Sequence, residues 1–196
     1  MRPDSDHGVY RRAISPSTCE ARVEEALFVR ETNNRIYIRA QGHVTANSCP
    51  ELKARVFDRL EAKPAVEDVF MDLSACEYMD STFMGLIVGF NKRFLRYSER
   101  PIKLSGINET CMKLLKTIGV ARLVQIIDEA PRFPEPLELL GTGKKAGARF
   151  VLKAHEELIE LSEENERKFS ALRSVLKDAA SEEEADELKF MDDKRD

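Results

Sequence analysis

The chain has 196 residues, of which 42% are hydrophobic and 34% are charged, so it can bury a substantial core and does not have the composition of a disordered protein. Its net charge of −4 conceals an asymmetry, because residues 156–196 carry 15 acidic and 7 basic side chains while the residues before them are net +4. The basic residues are interleaved with acidic ones and form no run, so we expect no nucleic-acid binding.

The sequence lacks the patterns of a membrane span and of a targeting signal. No window approaches the roughly 18 apolar residues that a membrane span needs, and the N-terminus has no signal-peptide core, so a cytoplasmic location is expected. Residues 1–24 mix Pro, Ser and Arg without apolar periodicity and are predicted to form a loose N-terminal segment.

Cysteines and histidines, the usual ligands of metals, are scattered along the chain. The cysteines are dozens of residues apart and include no C-x-x-C pair, so the sequence predicts neither a zinc site nor a redox dithiol. The three histidines are expected to be independent surface or loop residues: His7, His43 and His155. We therefore predict no metal and no cofactor.

The first predicted elements are a β-hairpin and a helix. Two short runs rich in β-branched and aromatic residues, 27–30 and 35–39, flank Thr32-Asn33-Asn34, which is typical of a tight turn. Ser48 and Glu51 then have the spacing of a capping box around a proline, and apolar residues follow at helical intervals. We predict a helix over 49–61.

Strands and helices are predicted to alternate after Pro64. Strands are expected at 66–73, 101–105 and 123–127, a helix with one apolar stripe at 82–97, and another helix that Asn108 caps and Gly119 ends. This order predicts an α/β fold with a mixed, mostly parallel sheet, helices packed on it, and an antiparallel N-terminal hairpin. The domain is predicted to span residues 25–127.

A C-terminal extension follows the predicted domain. Residues 128–148 contain three prolines and three glycines and are predicted to be a linker. Residues 149–196 are predicted to form two amphipathic helices followed by an acidic tail. Ser162 is expected to cap the second helix, and the chain is expected to fray from Ser181 onward. We expect the helices to lie back on their own domain as a hairpin, and the alternative is a docking or homodimerisation element.

Residues 79–86, which span the junction of a predicted buried strand and the helix over 82–97, are the most informative in the chain. A serine at a helix start can cap the free backbone N–H groups, and the same groups and the helix dipole tolerate a phosphoryl group in its place. Ser81 is therefore predicted to be either an unmodified N-cap worth about 1 kcal/mol or a phosphate acceptor. Asp80 is predicted to hold the loop or to meet a kinase's metal, and otherwise to be a solvated turn residue.

This order of elements and these residues resemble the STAS domain, the fold of anti-sigma factor antagonists. The matches are Asp72-Leu73-Ser74 at a strand end, Asp80-Ser81-Thr82 and Gly85-Leu86 at the second helix, Gly119-Val120, and Gly42 after the second strand. Phe83 stands where many members have glycine, and Thr82 where many have a second serine. The resemblance covers residues 25–127 and nothing in the C-terminal extension.

The resemblance implies a regulatory adaptor without catalytic activity. It implies that a GHKL-type anti-sigma serine kinase phosphorylates Ser81, with Thr82 as the fallback acceptor, and that a PPM-type serine phosphatase removes the phosphate. The unphosphorylated domain would bind the kinase and free a sigma factor, and phosphorylation would release the domain from the kinase.

The kinase-binding surface is expected to surround Ser81. Phosphate adds about −1.5 to −2 charges, and its desolvation within a docked, partly apolar surface costs several kcal/mol unless it is paired. Residues beside Ser81, together with two residues after the second predicted strand, are predicted to form this surface: Asp80, Thr82, Phe83, Met84, His43 and Val44.

Two other functions are alternatives to the switch. A nucleophilic hydrolase has little support, because Ser81 has no G-x-S-x-G setting and no histidine lies near it in sequence, and residues 141–145 lack the full phosphate-loop pattern. The stronger alternative is a STAS-type scaffold, an interaction subunit of another regulatory or lipid-pathway complex that binds its partner constitutively without phosphate.

Overall fold

A six-stranded mixed sheet organises the chain in the computed structural model, which describes residues 24–141 and 145–192. The strands are β1 (Ala26–Thr32), β2 (Arg35–Val44), β3 (Asp68–Met79), β4 (Lys103–Ser105), β5 (Gln125–Ile126) and β6 (Glu138–Leu139). Their spatial order is β5-β4-β3-β2-β1-β6. Strands β2 to β5 are parallel, and β1 pairs antiparallel with β2 and β6. The predicted α/β class with a mostly parallel sheet is confirmed. Residues 1–23 of the predicted N-terminal segment lie outside the described residues.

Within the described residues, five α-helices connect and follow these strands. They are α1 (Cys49–Glu61), α2 (Ser81–Phe94), α3 (Glu109–Ile118), α4 (Ala148–Ile159) and α5 (Glu163–Asp192), with short 3₁₀ turns at Ala46–Ser48 and Val120–Arg122. The first helix has the predicted bounds, and both C-terminal helices are present. The acidic end does not fray at Ser181 as predicted, because α5 continues to Asp192.

The β1–β2 hairpin follows from two asparagines at its turn. Asn33 and Asn34 have φ angles of 49° and 57°, in the left-handed region that asparagine tolerates better than most residues. Thr32 pairs directly with Arg35, so the turn has two residues. Two consecutive left-handed residues match the right-handed twist of the strands, which is why this turn fixes the register of the hairpin.

Alternation along the strands divides the sheet into two faces. The side chains that face the helices are at most 3% exposed and form one cluster with residues of α1, α2 and α3: Leu27, Val29, Ile36, Ile38, Val69, Met71, Leu73 and Leu104. The residues between them face the other side, where Tyr37 stacks on Phe70 at 5.5 Å and Arg39 donates to Asp72 at 3.1 Å. This alternation is the period-2 signal of a sheet with one fully buried face.

The segment predicted as a linker over 128–148 instead completes the sheet. It contributes β6, which pairs with β1, and it buries Phe133 against Tyr37 at a ring distance of 5.1 Å. Leu140 is 4% exposed and its N–H donates to Leu27 O. The apolar residues Phe133 and Leu140 of this segment cover a sheet edge and part of the second face.

The helix caps agree with the sequence at α3 and differ at α1. The Asn108 side chain accepts a hydrogen bond from Cys111 N at 2.8 Å, and Gly119 ends α3 with a φ of 90°, both as predicted. The predicted capping box at Ser48 does not form, because its hydroxyl donates to Thr45 O at 3.0 Å within the preceding 3₁₀ turn. A local carbonyl therefore competes successfully for the Ser48 hydroxyl.

The two C-terminal helices form a hairpin that packs on the domain. Helix α4 lies along α2, and α5 lies along α4. The buried Asn165 side chain joins the hairpin to the domain by donating to Leu158 O at 2.8 Å and to Ile118 O, at the end of α3, at 2.9 Å. The structure thus has the expected packing within one chain. Among the described helices, none is both long and apolar enough to cross a membrane.

The Asn91 side chain offers a test of this architecture. Asn91 is 2% exposed, donates to Leu123 O at 3.0 Å and accepts from Ile102 N at 3.0 Å. Replacement by leucine should lower the free energy of unfolding by about 2–4 kcal/mol, because two buried backbone groups lose their partners. Urea denaturation measures this change, with Arg96→Leu at an exposed position as the control. Equal stability of the two variants would contradict the structural role of Asn91.

Candidate functional site

The candidate site is the junction between β3 and α2. Asp80 lies between the two elements with extended backbone, and its carboxylate accepts hydrogen bonds from Phe83 N at 2.9 Å and from Ala46 N at 2.8 Å. Its backbone N–H donates to Val44 O at 3.1 Å. One aspartate therefore ties the end of β2 and the loop after it to the start of α2.

Asp80, and not Ser81, caps α2. The prediction that Ser81 is the capping residue is wrong, because the Asp80 carboxylate already accepts the Phe83 N–H that an N-cap would take. Ser81 is instead the first residue of the helix and is partly exposed. Its hydroxyl is therefore not committed to the helix start, and Asp80 is a structural anchor rather than a solvated turn residue.

The Ser81 hydroxyl forms a hydrogen bond with a residue of the C-terminal hairpin. Its Oγ lies 2.8 Å from Nε2 of His155, and Nδ1 of His155 lies 2.9 Å from the carbonyl oxygen of Val151. Because a carbonyl only accepts, Nδ1 carries the proton and Nε2 accepts from the serine hydroxyl in the neutral imidazole. Two segments 74 residues apart meet at this bond.

The prediction that His155 is a surface or loop residue is wrong. Its side chain is 2% exposed and packs edge to face against Phe169 of α5 at a ring distance of 5.3 Å. The sequence carried a signal, since His155 lies four residues after Val151 and three before Leu158, on the apolar stripe of α4. A histidine on such a stripe has to find a hydrogen-bond partner when the stripe is buried.

A serine between a strand and a helix, beside a histidine, invites comparison with a hydrolase nucleophile. In a nucleophile elbow the serine sits on a strained turn, whereas the described non-glycine residues with positive φ are Asn33 and Asn34 alone. The second nitrogen of His155 faces a carbonyl of its own helix, not a carboxylate that would stabilise an imidazolium. The pair has the geometry of a structural hydrogen bond.

Four residues predicted to form the partner surface are buried instead. Thr82, Phe83, Met84 and Val44 are between 0% and 3% exposed. The start of α2 lies between the sheet and α4, so it is covered on both sides, and Phe83 belongs to the main core. Because these four side chains are buried, they do not lie on a surface that a partner could contact as predicted. The Thr82 hydroxyl is likewise too buried to be the fallback phosphate acceptor without a change in the structure.

Of the two residues predicted to join the partner surface from the end of the second strand, His43 reaches solvent and Val44 does not. Its side chain is 52% exposed, and Nε2 lies 3.2 Å from a carboxylate oxygen of Glu77. The Tyr78 ring, 40% exposed, lies 5.7 Å from the imidazole. These residues pair across the carboxyl ends of β2 and β3, next to the junction that leads to Ser81. Tyr78 was not among the predicted site residues, because the strand that carries it was predicted to end at residue 73 and continues to Met79.

A cavity of about 350 Å³ lies between α1, α2 and α4. Its lining carries both signs of charge, with Lys53, Arg93 and Lys153 facing Glu157 and Glu160. Burial, followed by repulsion from Lys153 and Arg93, lowers the pKa of Lys53. Within residues 24–141 and 145–192, this cavity included, no group of three or more histidine, cysteine or acidic side chains is arranged to hold a metal ion.

Comparison with known proteins identifies residues 27–125 as a match to a family model described as "Mlab, STAS domain". A search of curated proteins found no match. Similar solved structures include the anti-sigma factor antagonist SpoIIAA in its unphosphorylated form, with 19% identity, 54% of this chain and 89% of that chain covered, and a TM-score of 0.48.

Two further solved structures are similar to this chain. The phosphorylated form of the Bacillus cell fate determinant SpoIIAA is 18% identical, with 54% of this chain and 92% of that chain covered and a TM-score of 0.45. The protein TM1081 from Thermotoga maritima is 24% identical, with 52% and 85% covered and a TM-score of 0.45.

Replacement of Asp80 tests its anchoring role. Asp80→Ala should lower the free energy of unfolding by about 1–2 kcal/mol, because two backbone N–H groups lose their acceptor, and Asp80→Asn should lower it less, since one side-chain oxygen remains. Urea denaturation gives both values. Glu77→Ala, which removes an exposed carboxylate of the same strand, is the control and should change stability by less than about 0.5 kcal/mol. An Asp80→Ala protein as stable as this control would contradict the anchoring role.

Proposed function

The chain belongs to the STAS domain family, and from this premise we propose that it is an anti-sigma factor antagonist of a partner-switching pathway. In this proposal residues 25–127 form the STAS domain, joined through residues 128–148 to a C-terminal hairpin within 149–196. The protein has no catalytic role of its own. It works in the cytoplasm by binding an anti-sigma serine kinase of the GHKL type and by releasing it on phosphorylation.

The observation that carries the proposal is the position of the Ser81 oxygen. It stands at the first residue of α2, where the helix dipole favours an added anion, and Asp80 has already taken over the capping of the helix. Phosphorylation of Ser81 therefore removes no capping bond from α2. The exposed His43, Glu77 and Tyr78 at the neighbouring strand ends supply a polar and aromatic edge for the partner.

Phosphate would act on the partner through electrostatics. It brings about −1.5 to −2 charges into the middle of a docked surface, beside the carboxylate of Asp80. A few kcal/mol of unpaired desolvation is enough for a large loss of affinity, since about 1.4 kcal/mol is tenfold. A PPM-type serine phosphatase would restore the binding form.

Intact mass spectrometry tests the phosphorylation. The chain is incubated with ATP, Mg²⁺ and a GHKL-type anti-sigma kinase from the same genome. We expect a gain of about 80 Da, one phosphoryl group, that is absent in Ser81→Ala and retained in Thr82→Val. The valine variant is the matched control, because it removes the neighbouring hydroxyl with little change in shape. A gain that persists in Ser81→Ala would contradict Ser81 as the acceptor.

Kinase affinity tests the switch separately from the modification. Ser81→Asp places a carboxylate where the phosphate would be, and we expect it to weaken binding to the same kinase at least about tenfold. Isothermal titration calorimetry measures the affinity, with Ser174→Asp, an exposed serine of α5, as the control. Equal affinity of Ser81→Asp and the parent chain would count against the switch.

A second candidate function is a STAS-type interaction subunit that is not phosphorylated. The hydrogen bond from Ser81 to the buried His155 favours it, because a hydroxyl held by a buried partner is less available to a kinase. The same mass experiment separates the two candidates, since a constitutive subunit binds its partner and gains no mass in the presence of ATP.

A further inference from the structure

We propose that the α4–α5 hairpin is a tethered cover of Ser81, and that the covered and the phosphorylated states of this serine exclude each other. The kinase in this proposal rests on the proposed function. The cover itself rests on contacts within the chain and is testable without any partner.

The cover follows one stripe of α2. His155 contacts Ser81 at 2.8 Å, and the backbone of Ala154 lies against Gly85 one turn further along. Beyond Gly89, the ammonium of Lys92 lies 2.6 Å from carboxylates of both Glu157 and Glu160. Burial opposes the charged form of Lys92, but these two carboxylates outweigh it and raise the pKa of Lys92 above its ordinary value. Residues 81, 85, 89 and 92 share a helix face, so α4 covers the face that begins at the acceptor serine.

In this proposal a phosphoryl group on Ser81 competes with His155, whose Nε2 lies 2.8 Å from the serine oxygen. A Cβ atom built at Gly85 would lie 2.0 Å from the carbonyl oxygen of Ala154, so the two helices are already at backbone contact. The Phe169 ring of α5 packs against the His155 ring at 5.3 Å, so a displaced His155 would also have to move Phe169. A group with three additional oxygens on Ser81 therefore requires α4 to leave.

The exclusion works in both directions. A docked α4 must lift before a kinase reaches the Ser81 hydroxyl, and an attached phosphate prevents α4 from returning. Both effects act on the same equilibrium between the docked and the lifted positions of α4. Phosphorylation would thus release the hairpin and expose the apolar stripe of α4, which makes the hairpin a second output of the same modification.

Discrete polar bonds hold the hairpin closed. Asn165 anchors it to the carbonyl of Ile118, and the Glu183 carboxylate of α5 accepts from Ala148 N at 2.8 Å and from Arg149 N at 3.4 Å at the start of α4. The two bonds to Glu183 keep α4 and α5 together, whereas the bond from Asn165 to Ile118 joins the hairpin to the domain. The hairpin can therefore leave as a unit.

Hydrogen exchange on the full chain tests the cover without a kinase. Gly85→Ala places a methyl group into the Ala154 carbonyl, whereas Gly89→Ala meets its nearest atom, Phe57 Cζ, at an ordinary 3.5 Å. Both changes raise the helix propensity of α2 equally, so they are a matched pair. We expect the amides of α4 to exchange at least about tenfold faster in Gly85→Ala and at the parent rate in Gly89→Ala, with β2 and β3 protected in both.

The same measurement on Ser81→Glu tests the exclusion. A carboxylate at this position should open α4 as Gly85→Ala does, whereas Ser170→Glu, at an exposed position of α5, should not. Parent-like exchange of α4 in both Gly85→Ala and Ser81→Glu, with the sheet folded, would overturn the cover. This result is independent of any kinase.

A kinase assay then connects the cover to the proposed function. Ala154→Gln enlarges a side chain of α4 that is 3% exposed, and Ala171→Gln makes the same change at an exposed position of α5. We expect Ala154→Gln to be phosphorylated at least about tenfold faster than the parent, and Ala171→Gln at the parent rate. If Ala154→Gln opens α4 in hydrogen exchange but gains phosphate no faster, the cover does not control access. If no variant gains phosphate, the proposed function fails while hydrogen exchange still decides the cover.

Discussion

The carboxylate of Asp80 is the interaction on which the site depends. It receives N–H groups from the start of α2 and from the loop after β2, and its own N–H donates to the last residue of β2. Asp80 thereby fixes the start of α2 relative to the end of β2 and the loop after it, which lie more than 30 residues earlier in the chain. Since Ser81 follows it directly, the hydrogen bonds of Asp80 fix the backbone position of Ser81, and the bond to His155 orients the serine hydroxyl.

Much of this architecture could be predicted from local patterns. The bounds of α1, the hairpin turn at Asn33-Asn34, the Asn108 cap and the Gly119 end of α3 all depend on residues within one turn of each other. The capping box at Ser48 failed for the opposite reason. Its hydroxyl had two acceptable local partners, and only the 3₁₀ turn before the helix decides that the carbonyl of Thr45 is chosen.

The site was less predictable, because its main contact is made between Ser81 and a residue 74 positions away. Periodicity showed that α4 has an apolar stripe, but a stripe does not specify the surface that covers it. Phe83 and Met84 were expected at the surface for the same reason, because the sequence does not show that α4 packs on α2. A helix in a two-layer domain has an outward side, and here a third layer, α4, lies on that side. Leu140 and Phe133 likewise cover the sheet from a segment whose prolines and glycines predicted a linker.

The bond between Ser81 and His155 has an asymmetry that suits a switch. One neutral hydrogen bond contributes only about 0.5–1.5 kcal/mol to the docked state, so opening the hairpin costs little at this point. A dianion forced into the same contact would instead lose its hydration without room for new partners, which costs several kcal/mol. The unmodified serine is therefore compatible with both positions of α4, whereas a phosphorylated serine is compatible with one. The close contact between Gly85 and the Ala154 backbone increases this difference in free energy between the unmodified and the phosphorylated serine. Two helices at backbone contact cannot accommodate an added group by a small shift.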